Sequence, residues 1–264
     1  KVNEHMRSEN ISSDVYFEVK DLLLTASEKV VLDHINLKIH KGEILGIAGV
    51  EGNGQTELIR CLTGLQKPDT MELIVDGETV IGNASDFIRK GIGHIPEDRL
   101  GMAVVEKDSI STNLMLGYHF KERFRKGRWM DYNKADAFGN ECIEKYSIKA
   151  PSSKTTIAEM SGGNQQKVVI ARVFSENPKL VICAQPTRGV DIGSIEYIHR
   201  RMREFVGTER AILLISADLE EVKAMSDRIA VIFKGKIVAE GSTDQFDDTQ
   251  LGLYMTGVRR EGEE

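Results

Sequence analysis

A short apolar segment that runs into a glycine-rich turn limits the fold of this chain more than any other feature. Glu43–Ala48 has the composition of a buried strand, Gly49–Thr56 contains three glycines, and Glu57–Gly64 has helical periodicity and stops at a glycine. In that order, the glycines can turn successive backbone N–H groups inward as an anion-binding nest, and the helix start adds its positive end. The pattern therefore predicts an α/β fold with a phosphate-binding loop.

The rest of the chain also alternates strands with helices. Strand patterns at Leu180–Cys183 and Ala211–Ile215 precede helical patterns at Ile192–Phe205 and Leu219–Met225. This alternation predicts a mostly parallel sheet with right-handed crossovers. Paired strand patterns before residue 81 predict an additional antiparallel β side sheet.

The expected domain organisation has three parts. Residues 1–13 are polar and lack apolar periodicity, which predicts a linker from an absent upstream domain. Residues 14–98 and 173–264 are predicted to form the phosphate-loop core with its β side sheet. Strand signals fade after residue 98, so residues 99–172 are predicted to form an inserted helical subdomain. The chain starts with Lys1 and shows no signal-peptide pattern, so we expect a fragment of a longer polypeptide.

The composition is that of a globular protein and argues against several classes. A length of 264 residues can bury a sizeable core, and 41% hydrophobic and 29% charged residues are ordinary values. A net charge of −6 argues against nucleic-acid binding, and no apolar run approaches the roughly 18 residues of a membrane helix. Two of the three widely spaced cysteines lie in apolar segments, which indicates buried thiols in a reducing compartment.

The glycine-rich turn matches the phosphate-loop pattern G-x-x-x-x-G-K-[ST] at every defined position but one. The residues expected to contact nucleotide phosphates are Gly49, Gly52, Asn53, Gly54, Gln55 and Thr56. Gln55 stands where the pattern has Lys, so it brings no positive charge, and Thr56 is the candidate Mg²⁺ ligand. The sequence is compatible with weak or Mg²⁺-independent nucleotide binding and also with a turn that binds nothing.

Met160–Lys167 is the most specific string in the sequence. Ser161 is placed to cap the helix that follows, and Gly162 and Gly163 let its backbone approach a ligand closely. A serine hydroxyl, exposed N–H groups and a helix dipole together suit a γ-phosphate. The alternative is an ordinary capped helix start without a ligand.

These motifs resemble those of the ABC transporter ATPase family, whose signature reads L-S-G-G-Q. The form S-G-G-N-Q-Q-K, with Pro96–Arg99 and Gln185–Asp191, is similar to that of importers of simple sugars and nucleosides in which two such domains are fused in tandem. Gly52–Gln55 and Ala184–Pro186 resemble the second, C-terminal domain of the nucleoside-uptake type. The resemblance covers nearly the whole chain and implies an ABC-type P-loop NTPase fold that works with ATP and Mg²⁺.

The same resemblance implies that this domain has lost its own hydrolytic chemistry. Ala184 and Gln185 stand where the family has an Asp that holds Mg²⁺ and a Glu that polarises the attacking water. Ala217 replaces the switch histidine, and Glu97 replaces a glutamine that senses the metal and the γ-phosphate. With Gln55 in the loop, no usual catalytic position keeps its residue. We therefore expect little or no ATPase activity from this chain alone.

In this family, two nucleotide-binding domains meet head to tail, and each ATP lies between the phosphate loop of one and the signature of the other. The resemblance implies that this chain offers its signature to the ATP of a catalytic partner. Mg²⁺ would then be held mainly at that composite site, and Asp191 would face the partner. The signature residues are Ser161, Gly162, Gly163, Asn164 and Gln165.

The implied partners are the upstream nucleotide-binding domain of the same polypeptide, membrane permease subunits and, indirectly, an extracytoplasmic substrate-binding protein. The implied place is the cytoplasmic face of the cell membrane, and no nucleic acid is expected. Two alternatives stay open, a non-catalytic sensor of ATP occupancy and a soluble ABC-type ATPase outside transport. The basic run Lys121–Trp129 is interpreted either as a surface for the permease or for anionic headgroups, or as a solvated loop.

Overall fold

The computed structural model describes residues 11–258. Its strands, numbered β1 to β12 in chain order, are Val15–Ala26, Lys29–His40, Ile44–Ala48, Thr70–Val75, Glu78–Thr79, Ile92–Ile95, Arg125–Lys126, Trp129–Met130, Leu180–Ala184, Ala211–Ile215, Arg228–Phe233 and Lys236–Ser242. Its α-helices, numbered α1 to α8, are Gln55–Leu62, Ala84–Arg89, Ile110–Met115, Tyr132–Lys145, Gly162–Phe174, Ile192–Val206, Leu219–Met225 and Asp248–Thr256. The contacts divide the chain into two compact units.

The first unit comprises the described residues up to 94 together with 178–185 and 199–258. Its larger sheet has the order β12-β11-β3-β10-β9-β6. Strands β11, β3, β10 and β9 run parallel, and β12 pairs with β11 in the antiparallel sense. Every residue of β3, β9 and β10 is buried, as expected for strands covered on both faces. This sheet confirms the predicted mostly parallel arrangement.

An antiparallel side sheet with the order β2-β1-β4-β5 completes the first unit, as predicted. One apolar cluster joins this sheet, α1 and the larger sheet. Its buried members include Phe17, Leu37, Leu58, Leu213 and Ile232. Complete burial of one such side chain contributes roughly 1.5–3 kcal/mol. The cluster therefore holds β3 and α1 firmly, and with them the glycine-rich turn that connects the two.

The second unit comprises residues 95–177 and 186–198. Helix α3 packs against α4 and α5, and the short hairpin β7–β8 precedes α4. The buried guanidinium of Arg172 on α5 donates to the carbonyl oxygens of Ala103 (2.7 Å) and Asn113 (3.3 Å). This unit extends past the predicted boundaries at 99 and 172. A compact unit does not by itself establish a separate helical subdomain, so the assignment of residues 99–172 stays a prediction.

Some elements differ from the sequence-based expectation. Helix α1 starts at Gln55, two residues before the predicted start, because the glycine turn ends at Gly54. Helix α8 was not expected, although Asp247 and Gln250 form a capping box that marks its start. Most of the predicted linker, residues 1–10, lies outside the described residues. None of the helices within residues 11–258 combines the length and apolarity needed to span a membrane.

The three cysteines are all free thiols in buried positions, whereas the sequence predicted burial for two of them. Burial raises the pKa of Cys61 and of Cys142 to about 11, and it also raises the pKa of Cys183. At pH 8, a rise of two pKa units leaves about 100-fold less thiolate, and the thiolate is the reactive form. We therefore expect the folded chain to react with a thiol reagent at least 100-fold more slowly than the chain in denaturant. Rapid labelling of even one folded-state cysteine in a time course would contradict this.

Candidate functional site

The glycine-rich turn between β3 and α1 has the backbone shape of a phosphate loop. Gly52 and Gly54 have φ values of 88° and 105°, a region that residues with a Cβ rarely adopt. A Cβ on Gly54 would also lie 2.9 Å from Leu32 Cδ2 and 3.3 Å from the Val31 carbonyl oxygen. Both the turn and the packing therefore require glycine at position 54.

The side chain of Gln55 is hydrogen-bonded into this loop. Its Nε2 donates to the carbonyl oxygen of Val50 (3.0 Å), and its Oε1 accepts from the backbone N–H of Asn53 (3.1 Å). A Cβ on Gly49 would lie only 2.7 Å from Gln55 Nε2, so the amide lies against the start of the loop. One of the N–H groups that an anion nest would offer is thus already used by the protein itself.

The turn at Lys234 and Gly235, distant in sequence, forms hydrogen bonds with the phosphate loop. Asn53 Oδ1 accepts a hydrogen bond from the backbone N–H of Lys234 (2.8 Å). The backbone carbonyl oxygen of Asn53 accepts one from the backbone N–H of Gly235 (2.9 Å). The carbonyl oxygen of Gly235 in turn accepts from the N–H of Asp33 (2.9 Å). Sequence reasoning identified the Lys234-Gly235 hairpin but did not connect it with the loop, because about 180 residues separate the two segments.

The signature segment forms the capped start of α5, which confirms the predicted cap. Ser161 Oγ accepts from the backbone N–H of Asn164 (3.4 Å) and from its Nδ2 (2.9 Å). Asn164 Oδ1 accepts from the N–H of Lys149 (2.8 Å). Gln165 Nε2 donates to the carbonyl oxygens of Ile157 (3.0 Å) and Met160 (3.3 Å). Ser161 stays exposed, while Gln165 is buried and fixes the segment from inside.

Local packing is an additional reason for glycine at positions 162 and 163. A Cβ on Gly163 would lie 2.2 Å from Ser194 Oγ and 2.8 Å from Asp191 Oδ2. A Cβ on Gly162 would lie 3.0 Å from an Arg99 guanidinium nitrogen. Close approach of neighbouring side chains therefore requires glycine at position 163, whether or not a ligand binds there.

Asp191 and Arg99 are tied to this segment by hydrogen bonds. Asp191 accepts from the hydroxyl (2.7 Å) and from the backbone N–H (3.0 Å) of Ser194, and these bonds lower its pKa. Arg99 Nε donates to Gln165 Oε1 (3.2 Å), and its guanidinium also donates to the Arg188 carbonyl oxygen (3.4 Å). Arg99 was not predicted as a site residue, and the sequence gives no local signal that it meets residue 165.

Comparison with known proteins identifies the family. The family model described as ABC transporter matches residues 32–188, more than half of the chain. The chain belongs to the ABC transporter family. Among solved structures, it is similar to a nucleotide-free ATP-binding cassette from an ABC transporter, with a TM-score of 0.76 and 21% identity over 91% of this chain and 99% of that one. This likeness shows the ABC-type fold.

Curated relatives of this ABC chain carry import functions in their names. It is 37% identical over 246 residues to the nucleoside import ATP-binding protein NupA of Lactococcus lactis subsp. cremoris (strain MG1363), covering 92% of this chain and 49% of the relative. It is 40% identical over 230 residues to the guanosine import ATP-binding protein NupO of Bacillus subtilis (strain 168), covering 84% and 44%. Ribose import ATP-binding protein RbsA of Bacillus licheniformis is 36% identical, with 93% and 49% covered. The chain spans about half the length of these relatives.

Ala184, Gln185 and Ala217, which the resemblance assigns to replaced catalytic positions, lie at the neighbouring ends of β9 and β10. Gln185 has a φ of 48°, and its backbone N–H donates to the carbonyl oxygen of Ile215 (2.8 Å). Its Oε1 accepts from the hydroxyl of Ser216 (3.3 Å). Ala184 is buried and Ala217 is exposed just before α7. An amide and two methyl groups supply neither a proton acceptor at neutral pH nor a metal ligand of the carboxylate type.

Glu97, for which the resemblance implies a replaced glutamine, forms an ion pair with a neighbouring cation. Its carboxylate forms an ion pair with the guanidinium of Arg188, and both residues belong to the second unit. The guanidinium compensates the negative charge of Glu97 locally.

The residues around the loop do not fit a hydrolytically active Mg²⁺–ATP. Thr56 is exposed on the first turn of α1 and offers a hydroxyl, but Ala184 and Gln185 offer no carboxylate, and the loop amide of Asn53 is already bonded to Gln55. Within residues 11–258, no group of three or more His, Cys, Asp or Glu side chains is placed to hold a metal ion. We therefore derive no hydrolytic step at this loop.

The Gln55 contacts lead to a prediction about ATP affinity. Replacing Gln55 with Lys should tighten ATP binding to the chain by about 10-fold or more, since a charge-assisted hydrogen bond to phosphate contributes roughly 1.5–3 kcal/mol. Isothermal titration calorimetry measures the dissociation constant directly. Gln55→Met is the matched control, because it removes both loop hydrogen bonds without adding charge. Equal affinity in the Lys and Met variants would show that the missing charge is not what weakens the loop.

Proposed function

We propose that this chain is a nucleotide-binding domain of an ATP-driven importer for nucleosides or simple sugars. It lends its signature, Ser161–Gln165, to an ATP molecule bound by a catalytic partner domain, while its own hydrolytic site is degenerate. The observation that carries the proposal is a contrast. The signature helix is capped and its serine is exposed, whereas Gln55 is hydrogen-bonded into the phosphate loop.

The presentation of the signature supports this role. Ser161 lies at the N-terminus of a 13-residue helix, where the backbone dipole favours an anion. Gln165, Arg99 and Asn164 each hold the segment by side-chain hydrogen bonds. A donor that is fixed before the ligand arrives costs no reorganisation when charge develops on the phosphate. The arrangement therefore suits a γ-phosphate supplied by another domain.

The partner in this proposal is the upstream nucleotide-binding domain of the same polypeptide. The relatives are about twice as long as their matched regions, which is the length of two domains of this size. In a head-to-tail pair, Asp191 faces that partner, and Mg²⁺ is held mainly at the composite site. Nucleoside and simple-sugar cargo follow from the relatives' names, and substrate choice belongs to the permease and the extracytoplasmic binding protein.

The substituted positions support a loss of hydrolysis in this domain. Loss of a general base lowers an enzymatic rate by about 10²–10⁴. Loss of a cation on the transferring phosphoryl group adds a further effect of about 10³ or more, and the two are not simply multiplied. A sensor of ATP occupancy is the second candidate, but it needs affinity at Gly49–Thr56, and the Gln55 contacts disfavour that affinity.

Two measurements test the proposed function. The chain alone should turn over ATP at least 10² times more slowly than the complete polypeptide assembled with its permease at the cytoplasmic membrane face. Brisk turnover by the chain, abolished by Gln55→Ala, would overturn the proposal. Affinity purification of the complete polypeptide should recover permease subunits. Recovery of ribosomes or nucleic acid in their place would favour a soluble ABC-type ATPase.

A further inference from the structure

The hairpin formed by β7 and β8 presents an exposed tryptophan beside cationic side chains. Lys126 pairs with Trp129 in the strand register, and Arg125 pairs with Met130. Gly127 in the connecting turn has a φ of 62°, which suits the first turn position of a tight hairpin. Trp129 is 76% exposed, although tryptophan is usually highly buried. The fold therefore exposes an apolar ring at this tip.

The base of this hairpin is firmly anchored in the second unit. The side chain of Phe124 is completely buried, and its carbonyl oxygen accepts from the N–H of Asp131 (2.9 Å). Lys134 Nζ donates to the Arg125 carbonyl oxygen (2.8 Å). The Arg123 guanidinium lies 4.8 Å from the centre of the Phe124 ring, within cation–π distance. A fixed base means that exposure of the tip is a property of the folded structure.

The positive charge of this segment is concentrated at the hairpin. Residues 121–134 contain six Lys or Arg and two Asp or Glu, a net charge of +4 in a chain whose net charge is −6. Lys121 and Arg123 form ion pairs with Glu176. Among the residues that the structure describes, Arg125, Lys126 and Arg128 have no acidic partner within ion-pair distance. Their charge is available to an external anion.

We propose that the β7–β8 hairpin binds the anionic phospholipid headgroups of a membrane surface. Cations near such a surface attract it electrostatically, and tryptophan and tyrosine prefer the headgroup level, where one part of the ring system is apolar and another is wet. Tyr132, 64% exposed and next to the hairpin, adds a second ring of this kind. The cations and the two rings together match an anionic lipid interface.

This inference rests on the proposed function only in that a transporter component works beside a membrane. A site for a small anion needs converging donors in a pocket, whereas these cations follow a projecting hairpin. A lipid surface can bind an exposed hairpin without offering a pocket of complementary shape. The vesicle experiment below does not involve ATP, so its failure and a failure of the proposed function can be told apart.

Trp129 is the single tryptophan of the chain and therefore reports on this hairpin alone. Addition of phosphatidylcholine vesicles containing 30% phosphatidylglycerol should shift its fluorescence to shorter wavelength. Pure phosphatidylcholine vesicles and inorganic phosphate at matched ionic strength should leave the emission unchanged. The shift should weaken as salt rises, because the Debye length falls from about 10 Å at 0.1 M to about 3 Å at 1 M. An equal shift with inorganic phosphate would overturn the proposal in favour of a free-anion site.

Charge reversal provides the second arm of the test. Lys126→Glu with Arg128→Glu should weaken binding to the anionic vesicles by about 30-fold or more, since each cation near such a surface contributes about fivefold. Lys107→Glu with Lys149→Glu changes the net charge equally at exposed positions of the same unit and should have little effect. Trp129→Ala, measured by vesicle cosedimentation, should also weaken binding. Absence of vesicle binding, or equal loss in the two charge-reversed variants, would overturn the proposal.

Discussion

Replacing Ser161 with arginine should lower ATP turnover by the complete polypeptide and its permease by about 100-fold or more, because loss of one preorganised donor to a transition state costs about 10²–10³ in rate. Ser161 is exposed at the start of α5, and its hydroxyl accepts two hydrogen bonds from Asn164. An arginine side chain would fill the space in front of the helix that the partner's γ-phosphate needs. Steady-state ATPase and uptake measurements give the two rates to compare.

The same assay tests the proposed asymmetry between two composite sites. Gln55→Ala in the complete polypeptide should lower turnover by less than about 10-fold, since its loop contributes little chemistry to the cycle. Ser109→Ala is the control for helix capping, because Ser109 caps α3 in the same unit and its loss costs about 1 kcal/mol of stability without touching the signature. Equal damage from Ser161→Arg and Gln55→Ala would contradict the asymmetry on which the proposed function depends.

Replacing Gly235 with alanine should destabilise the first unit by about 3 kcal/mol, which corresponds to a fall in Tm of about 6–12 °C. Gly235 has a φ of 75°, and a Cβ there would lie 2.1 Å from the Val31 carbonyl oxygen and 2.8 Å from its carbonyl carbon. Both atoms are backbone, so the hairpin or β2 must move. That movement would break the hydrogen bond from Gly235 to Asn53 that supports the phosphate loop.

Gly77 offers a matched control for this substitution. Its φ is 76°, nearly the same, but a Cβ at this position would have no atom within 4 Å. Gly77→Ala should therefore cost only the backbone term of about 1 kcal/mol and lower Tm by about 3 °C. Thermal unfolding followed by circular dichroism gives both values. Similar Tm changes in the two variants would show that the contact with Val31 does not hold the hairpin in place.

The two predictions address different parts of one arrangement. Gly235 supports the phosphate loop, whose own hydrolytic site is proposed to be degenerate, and Ser161 belongs to the segment proposed to act on the partner's ATP. A domain kept for its signature still needs a stable fold around the loop, because α1 and β3 pack in the same core. Glycine at position 54 therefore has a structural reason independent of nucleotide binding, namely its φ of 105° and its close packing against Val31 and Leu32.

Local sequence patterns determined the strands of the two larger sheets, several helix starts and the family of this chain. Alternating or continuous apolar residues select strands through contacts with their immediate neighbours, and Ser161 caps α5 through a residue three positions later. Such patterns involve only a few neighbouring residues, so they can be recognised from the sequence without a structure. The identities of Gln55, Ala184 and Gln185 likewise led to the proposal that this domain lacks hydrolytic groups.

The tertiary structure alone decided which distant groups meet. It showed that Lys234 and Gly235 hold Asn53, that Ser194 makes glycine obligatory at position 163, and that Arg99 reaches Gln165. It also showed that Gln55 turns back into its own loop, because a side-chain rotamer depends on the space and the free carbonyl groups around it. Contacts of this kind depend on the path of the folded chain and on close packing. Neither can be predicted from the residues that are adjacent in sequence.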